Sequence, residues 1–244
     1  MARVDDLLET ALRGLGSKPA DDANQPAKKR YSEQVSHVVA NAIAEELRQR
    51  GLKEARPAPP GVLDRSGAER RMAGGIGAKK VDVTWATEES GLLLGISVKS
   101  INFRDRKTKN FQKNLTNRRG DMLFEAVTLH RRFPYAVLGG LFFFDAGAAL
   151  DETQRRRSTF INAHARLRLF TGRSDPGGRD EQYEHLYILL LDTTASSCYQ
   201  MYCVGEPDKV VPLTCAIDDL LKATAIRNPD FYEFDMGNLR SVNA

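Results

Sequence analysis

The 244-residue sequence predicts an α/β protein with a central mixed β-sheet flanked by helices. Three observations predict it. Segments of helical period alternate with segments of strand period along the chain. An unbroken apolar run at residues 135–144 reads as a strand buried on both faces. The length suits a single domain that can enclose a substantial core. Hydrophobic residues at 41% and charged residues at 28% are those of an ordinary globular protein. The longest apolar run is about half of the roughly 20 residues that a membrane helix needs. Three acids among the first nine residues, with no apolar block, argue against a secretory signal and lead us to expect a cytoplasmic protein.

Each element follows in order. Val4, Leu7, Leu8, Ala11, Leu12 and Leu15 form one helical stripe that ends at Gly16. This amphipathic helix, residues 1–16, is expected to dock on its own core, a second copy or a partner, and we favour a second copy, making a homodimer. Residues 17–30 hold no large apolar side chain and read as a flexible linker. The remainder, residues 31–244, reads as the main domain, with a core at 31–145 and an extension at 146–244. It opens with a helix at residues 31–50 that places Val35, Val38, Val39, Ala42, Ile43 and Leu47 on one face. Residues 52–79, with the sequences PAPP and GGIG, read as an irregular loop. Strands follow at 79–87 and 92–101, then a basic loop at 102–114, a helix at 116–132, the apolar strand at 135–144 and a basic helix at 152–170. Two strands, 185–192 and 198–204, and a helix after Thr214 complete the chain. Cys198, Cys203 and Cys215 form no CxxC pair and read as small apolar fillers.

Charge is segregated. Residues 99–132 carry ten Lys/Arg against three acids, and residues 155–173 carry six arginines and no acid, which leaves the rest of the chain net acidic although the total is only +4. A protein that meets a polyanion with one surface is expected to segregate charge in this way. A solvated basic face is the other reading. The candidates for phosphate contact are Lys79, Lys80, Arg104, Arg106, Lys107, Lys109, Lys113, Arg118 and Arg119, with Arg155, Arg156 and Arg157.

The hairpin at 79–101 carries the candidate chemistry. With a four-residue turn at 88–91, Asp82 faces Ser97, Lys80 faces Lys99 and Thr84 faces Gly95, all on one side. Val81 with Val98, Val83 with Ile96 and Trp85 with Leu94 share the other side, while Leu93 and Ile101 depart from the pattern. A carboxylate beside a hydroxyl and a lysine can hold a divalent cation next to a phosphate. The same face also reads as a solvated Asp–Lys pair.

The strings KKVDVTW and ISVKS, with fourteen residues between Asp82 and Ser97, resemble the PD-(D/E)XK nuclease superfamily. That resemblance covers residues 31–145 and implies a restriction-endonuclease-like core with a Mg²⁺ (or Mn²⁺) cofactor. It makes Asp82 the metal-binding aspartate, Lys99 the lysine that acts on the attacking water, and the Val98 carbonyl a further ligand. The chain departs from the pattern at Val81, where the family has proline, and at Ser97, where it has an acid. Some nucleases of this type with serine there take the missing carboxylate from the following helix, which here contains Asp121 and Glu125. On a helical wheel these two acids oppose the arc of Met122, Leu123, Ala126, Val127 and His130, so they also read as a solvated stripe with Arg118 and Arg132. Glu33 is a further candidate ligand, or a charge that stabilises the start of its helix. His130, within the apolar arc, reads as a core histidine.

The resulting expectation is a metal-dependent DNA endonuclease serving restriction or another bacterial defence system, with Asp82, Ser97, Lys99 and Glu125 at its centre and room for an activating partner protein. A non-catalytic nucleic-acid-binding subunit is the main rival, and a repair or recombination nuclease is a third reading.

Overall fold

The computed structural model describes residues 3–62, 70–73 and 78–242. Its centre is a six-stranded mixed sheet in the order β3 (Val83–Thr87), β4 (Gly91–Ile101), β5 (Val137–Asp145), β6 (His185–Leu191), β7 (Tyr199–Cys203) and β8 (Val210–Val211). β4, β5 and β6 run parallel, and the outer pairs are antiparallel. One face is covered by α1 (Arg3–Arg13), α2 (Gln25–Gln49) and α5 (Leu213–Arg227), and the other by α3 (Gln112–Arg132) and α4 (Thr159–Leu167). β5 shows why its sequence is apolar without interruption: Val137, Leu141 and Phe143 enter the first core and Leu138, Phe142 and Phe144 the second. Among the described residues, no helix is long and apolar enough to cross a membrane.

The N-terminal expectations need correction. Val4, Leu8 and Leu12 are fully buried against the chain's own α2 and α5, so the stripe expected to join two copies is occupied within one chain. Polar contacts fix the same docking. The buried Asp5 carboxylate accepts hydrogen bonds from Leu213 N (2.7 Å), Thr214 N (3.3 Å) and the Tyr199 hydroxyl (2.9 Å). It thereby caps α5, whose own N-cap, Pro212, has no side-chain bond to offer. The expected linker is also tied down. Lys18 Nζ lies 2.6 Å from Asp145 Oδ2, and Asp21 Oδ1 accepts from Arg104 N at 3.3 Å. α2 starts six residues earlier than its apolar stripe suggests, because Asn24 accepts from Ala27 N at 2.9 Å and Pro26 fits the first turn.

Other boundaries shift for local reasons. The basic helix begins at Thr159 rather than at 152, since Asp151 holds Thr159 N at 2.6 Å and a bridge between Thr153 and Arg156 keeps the preceding residues in a loop. The segment 52–79 includes β1 (Arg70–Ala73), which pairs with β2 (Ala78–Val81), and the GGIG cluster lies outside the described residues. The short strand β8 and a C-terminal hairpin of β9 (Tyr232–Asp235) and β10 (Asn238–Ser241) add to the expected elements, with Tyr232 edge-on to Trp85 at 5.0 Å.

Candidate functional site

The predicted hairpin register holds at its centre, where Val83, Thr84 and Trp85 face Ile96, Gly95 and Leu94. Leu93 is the extra residue of a bulge, since Ala86 pairs with Leu92, and this accounts for its departure from alternation. The strand breaks at Asp82. β2 leaves the main sheet, so Lys80 pairs with Arg71 rather than with Lys99, and Val81 packs into the core beneath α3 instead of beside Val98. At the break the Asp82 side chain takes over the ladder's work, accepting from Val98 N at 2.7 Å.

On the β5 side of Ser97 stands Gly140. A Cβ there would lie 2.5 Å from Met122 and from Leu186, so the absence of a side chain lets α3 press close to the sheet. One turn beyond Met122, Glu125 is brought down onto the strand. Its buried carboxylate accepts from the Ser97 hydroxyl through Oε1 and lies 3.3 Å from Lys99 Nζ through Oε2. Lys99 Nζ is also 3.8 Å from Asp82 Oδ2. Asp82, Ser97, Lys99 and Glu125 therefore converge.

The rotation of α3 differs from the wheel reading. Glu125, Thr128 and Leu129 are buried and Phe124 is exposed, so the inward arc is turned towards Glu125. Electrostatics follow from this burial. Desolvation pushes the Glu125 carboxyl above its ordinary value despite the Lys99 ammonium, with the Asp82 charge adding to the rise. Burial opposes the Lys99 charge, but Glu125 and Asp82 outweigh it and hold the ammonium above its ordinary value.

The other candidate acids are not brought into this cluster. Asp121 is exposed and pairs with Arg118 at 3.6 Å, and Glu33 is exposed and pairs with Lys29 at 3.7 Å. Both line the cleft that opens over Asp82, Val98 and Lys99. No family model, curated protein or solved structure matches the chain.

The cleft runs between α2 and α3 over the C-terminal end of β4, and nine basic side chains against four acidic ones line it. Arg104, Arg106, Lys107, Lys113 and Arg118 are among them. Lys28, Lys29 and Arg30 join them, a run hidden by the linker reading although its charge was plain in the sequence. Asp105 shapes the basic loop by accepting from Lys107 N, Thr108 N and the Lys113 ammonium, which hold its carboxyl down at about 2.

Lys79 lies over the Phe124 ring at 3.9 Å, Arg119 packs on Phe170 at 5.8 Å, and Lys80 and Lys109 are exposed outside the cleft lining. Arg155 and Arg157 are exposed on the loop before α4, whereas Arg156 turns back to Asp151 at 3.5 Å. Arg173, counted with the basic surface, is buried and bonded to Glu184 at 3.3 Å beside Arg227. His130 is the core histidine expected, with Nδ1 2.9 Å from Asp180 O and Nε2 3.5 Å from Glu184.

The donor set suits a hard cation. Asp82 Oδ2 and Glu125 Oε2 lie 3.8 and 3.3 Å from Lys99 Nζ, and Mg²⁺ is typically held by one or two carboxylates with water and substrate phosphate completing its shell. Among the described residues, no group of three or more acidic, His or Cys side chains forms a cation site.

Proposed function

We propose that the protein is a Mg²⁺-dependent endonuclease with a restriction-endonuclease-like core, acting on DNA. The observation that carries this reading is the inward turn of Glu125, which supplies the acid that Ser97 lacks beside Asp82 and Lys99. Asp82 and Glu125 would hold the cation, with the Val98 carbonyl as a further ligand. The bound ion would lower the pKa of a water and offset charge on the phosphate oxygens. Lys99, kept charged by the two carboxylates, would steady the attacking water or a phosphate oxygen. The basic lining, Arg104, Arg106 and Lys107 together with Lys28 to Arg30, would hold the nucleic-acid backbone.

Plasmid cleavage tests it. The protein should cut with Mg²⁺ or Mn²⁺ and not in EDTA, and Asp82→Ala, Lys99→Ala and Glu125→Ala should each lower the rate by about 100-fold or more. DNA retention should persist in all three, because most of the cleft's charge lies elsewhere. Asp121→Ala should cut normally. Normal cutting by Glu125→Ala would remove the reading.

One observation favours a second reading. Lys99 already lies against both carboxylates, so the cluster can offset part of its negative charge without an ion, as a non-catalytic nucleic-acid-binding protein would require. Gel retardation in EDTA together with no cleavage in any divalent cation would select it. If cleavage is found, a panel of linear, supercoiled and branched duplexes separates defence from repair.

A further inference from the structure

We propose that Ser97 and Tyr183 are positioning residues for Glu125, anchoring one carboxylate oxygen with two hydroxyls so that the other is left to act. The proposal rests on the nuclease reading of the same site. It starts from the division of labour within the carboxylate. Oε2 faces Lys99, while Oε1 accepts from Ser97 Oγ and lies 3.4 Å from the Tyr183 hydroxyl. That hydroxyl is also 3.2 Å from the carbonyl of Met122, one turn earlier on α3, so it spans the helix backbone and the side chain it orients.

Tyr183 is only 1% exposed and is fixed by its own backbone, whose N–H donates to Phe170 O at 2.8 Å. Burial pushes its phenol well above the ordinary range, so it remains a donor. No sequence pattern pointed to Tyr183, which comes 58 residues after Glu125.

The physical need is clear. A glutamate reaching down from a helix has one more torsion to fix than an aspartate set on a strand, and a misplaced carboxylate loses its directed contact with ion and lysine. The Ser97 hydroxyl and the single Tyr183 proton, which Oε1 shares with the Met122 carbonyl, restrict that freedom and satisfy a buried acceptor that would otherwise be costly. On this account the serine at position 97 supports the acid that replaced it, and is neither a poor ligand nor a remnant.

The experiment uses the full chain with Tyr183→Phe and Ser97→Ala, each of which removes one oxygen. Three quantities are measured: kcat and KM for plasmid cleavage in Mg²⁺, Mn²⁺ binding to the protein without DNA, and urea unfolding. We expect kcat to fall on the order of tenfold or more with KM within about twofold, and Mn²⁺ to bind on the order of tenfold more weakly. A purely structural role would reduce the folded fraction and leave kcat per folded molecule unchanged. Wild-type kcat and Mn²⁺ affinity in both variants would overturn the proposal while leaving the nuclease reading intact. If the wild type neither cuts nor binds Mn²⁺, the nuclease reading fails, and an unfolding cycle of Tyr183→Phe with Glu125→Ala decides this proposal. Effects on the unfolding constant that depart from multiplication by about threefold or more would uphold the anchoring, and effects that multiply would overturn it.

Discussion

His164 shows how one buried side chain can set a pH response far from the cleft. Its Nδ1 accepts from Gly205 N at 3.0 Å, which fixes the neutral tautomer with the proton on Nε2. Burial pushes its pKa down to about 4, with the Asp208 charge opposing the shift. Since the folded value lies below the unfolded one, the stabilisation is present above about pH 6.5 and is lost as pH falls towards 4. The loss should be on the order of 2 kcal/mol. Urea unfolding at pH 7 and pH 4.5 reads it, with His164→Asn as reference because an amide oxygen keeps the acceptor and does not titrate. Equal losses in the two proteins would show that His164 is not held neutral. Spacing in the sequence offered no sign of this, because the acceptor of the Gly205 bond and its donor are 41 residues apart.

At the scale of elements, two glycines make opposite predictions. Gly140 lets α3 approach the sheet, and Gly140→Ala should cost about 1–3 kcal/mol by forcing Met122 and Leu186 aside, and should reduce cleavage beyond the loss of folded protein. Gly120, on the same helix, has open space around its Cβ position, and Gly120→Ala should stabilise the protein by up to about 1 kcal/mol. Chemical unfolding of the two variants checks both signs. The helices and strands that carry long apolar patterns were legible in the sequence, as was the convergence of Asp82, Ser97 and Lys99. The rotation of α3 was not, because a carboxylate buried through Ser97, Lys99 and Tyr183 has the hydropathy of a surface residue. The start of α2 was missed because its first turn is polar and is recognised by its cap. β8, β9 and β10 are short, and β9 is held by tertiary contact such as Tyr232 on Trp85 more than by intrinsic preference.

For the whole molecule, the fold places the basic segments where the sequence had separated them. Asp151 accepts from Phe111 N at the start of α3 (3.3 Å) and from Thr159 N at the start of α4 (2.6 Å), so the loop carrying Arg155 and Arg157 adjoins the basic loop of the cleft. Duplex binding at this surface should weaken steeply with salt, with a log–log slope of roughly −4 to −6. Arg106→Ala and Lys107→Ala, both at exposed cleft positions, should each reduce the slope by about 1. The wild-type slope is a fall of roughly 2–4 decades in affinity between 50 and 200 mM salt, and an affinity that does not change over that interval would rule out backbone binding there.

The bond from Leu213 N to Asp5 joins residues 208 positions apart, and it has a consequence for the chain as it leaves the ribosome. α1 is made well before α5, the helix it caps, and α2 alone offers its leucine stripe partial cover during that interval. Closing so long a loop adds little entropy beyond a shorter one, so the delay is one of synthesis rather than of energy. A nascent chain arrested before α5 would therefore expose Leu8 and Leu12 to the cell's chaperones, and release from them would coincide with the arrival of residue 213.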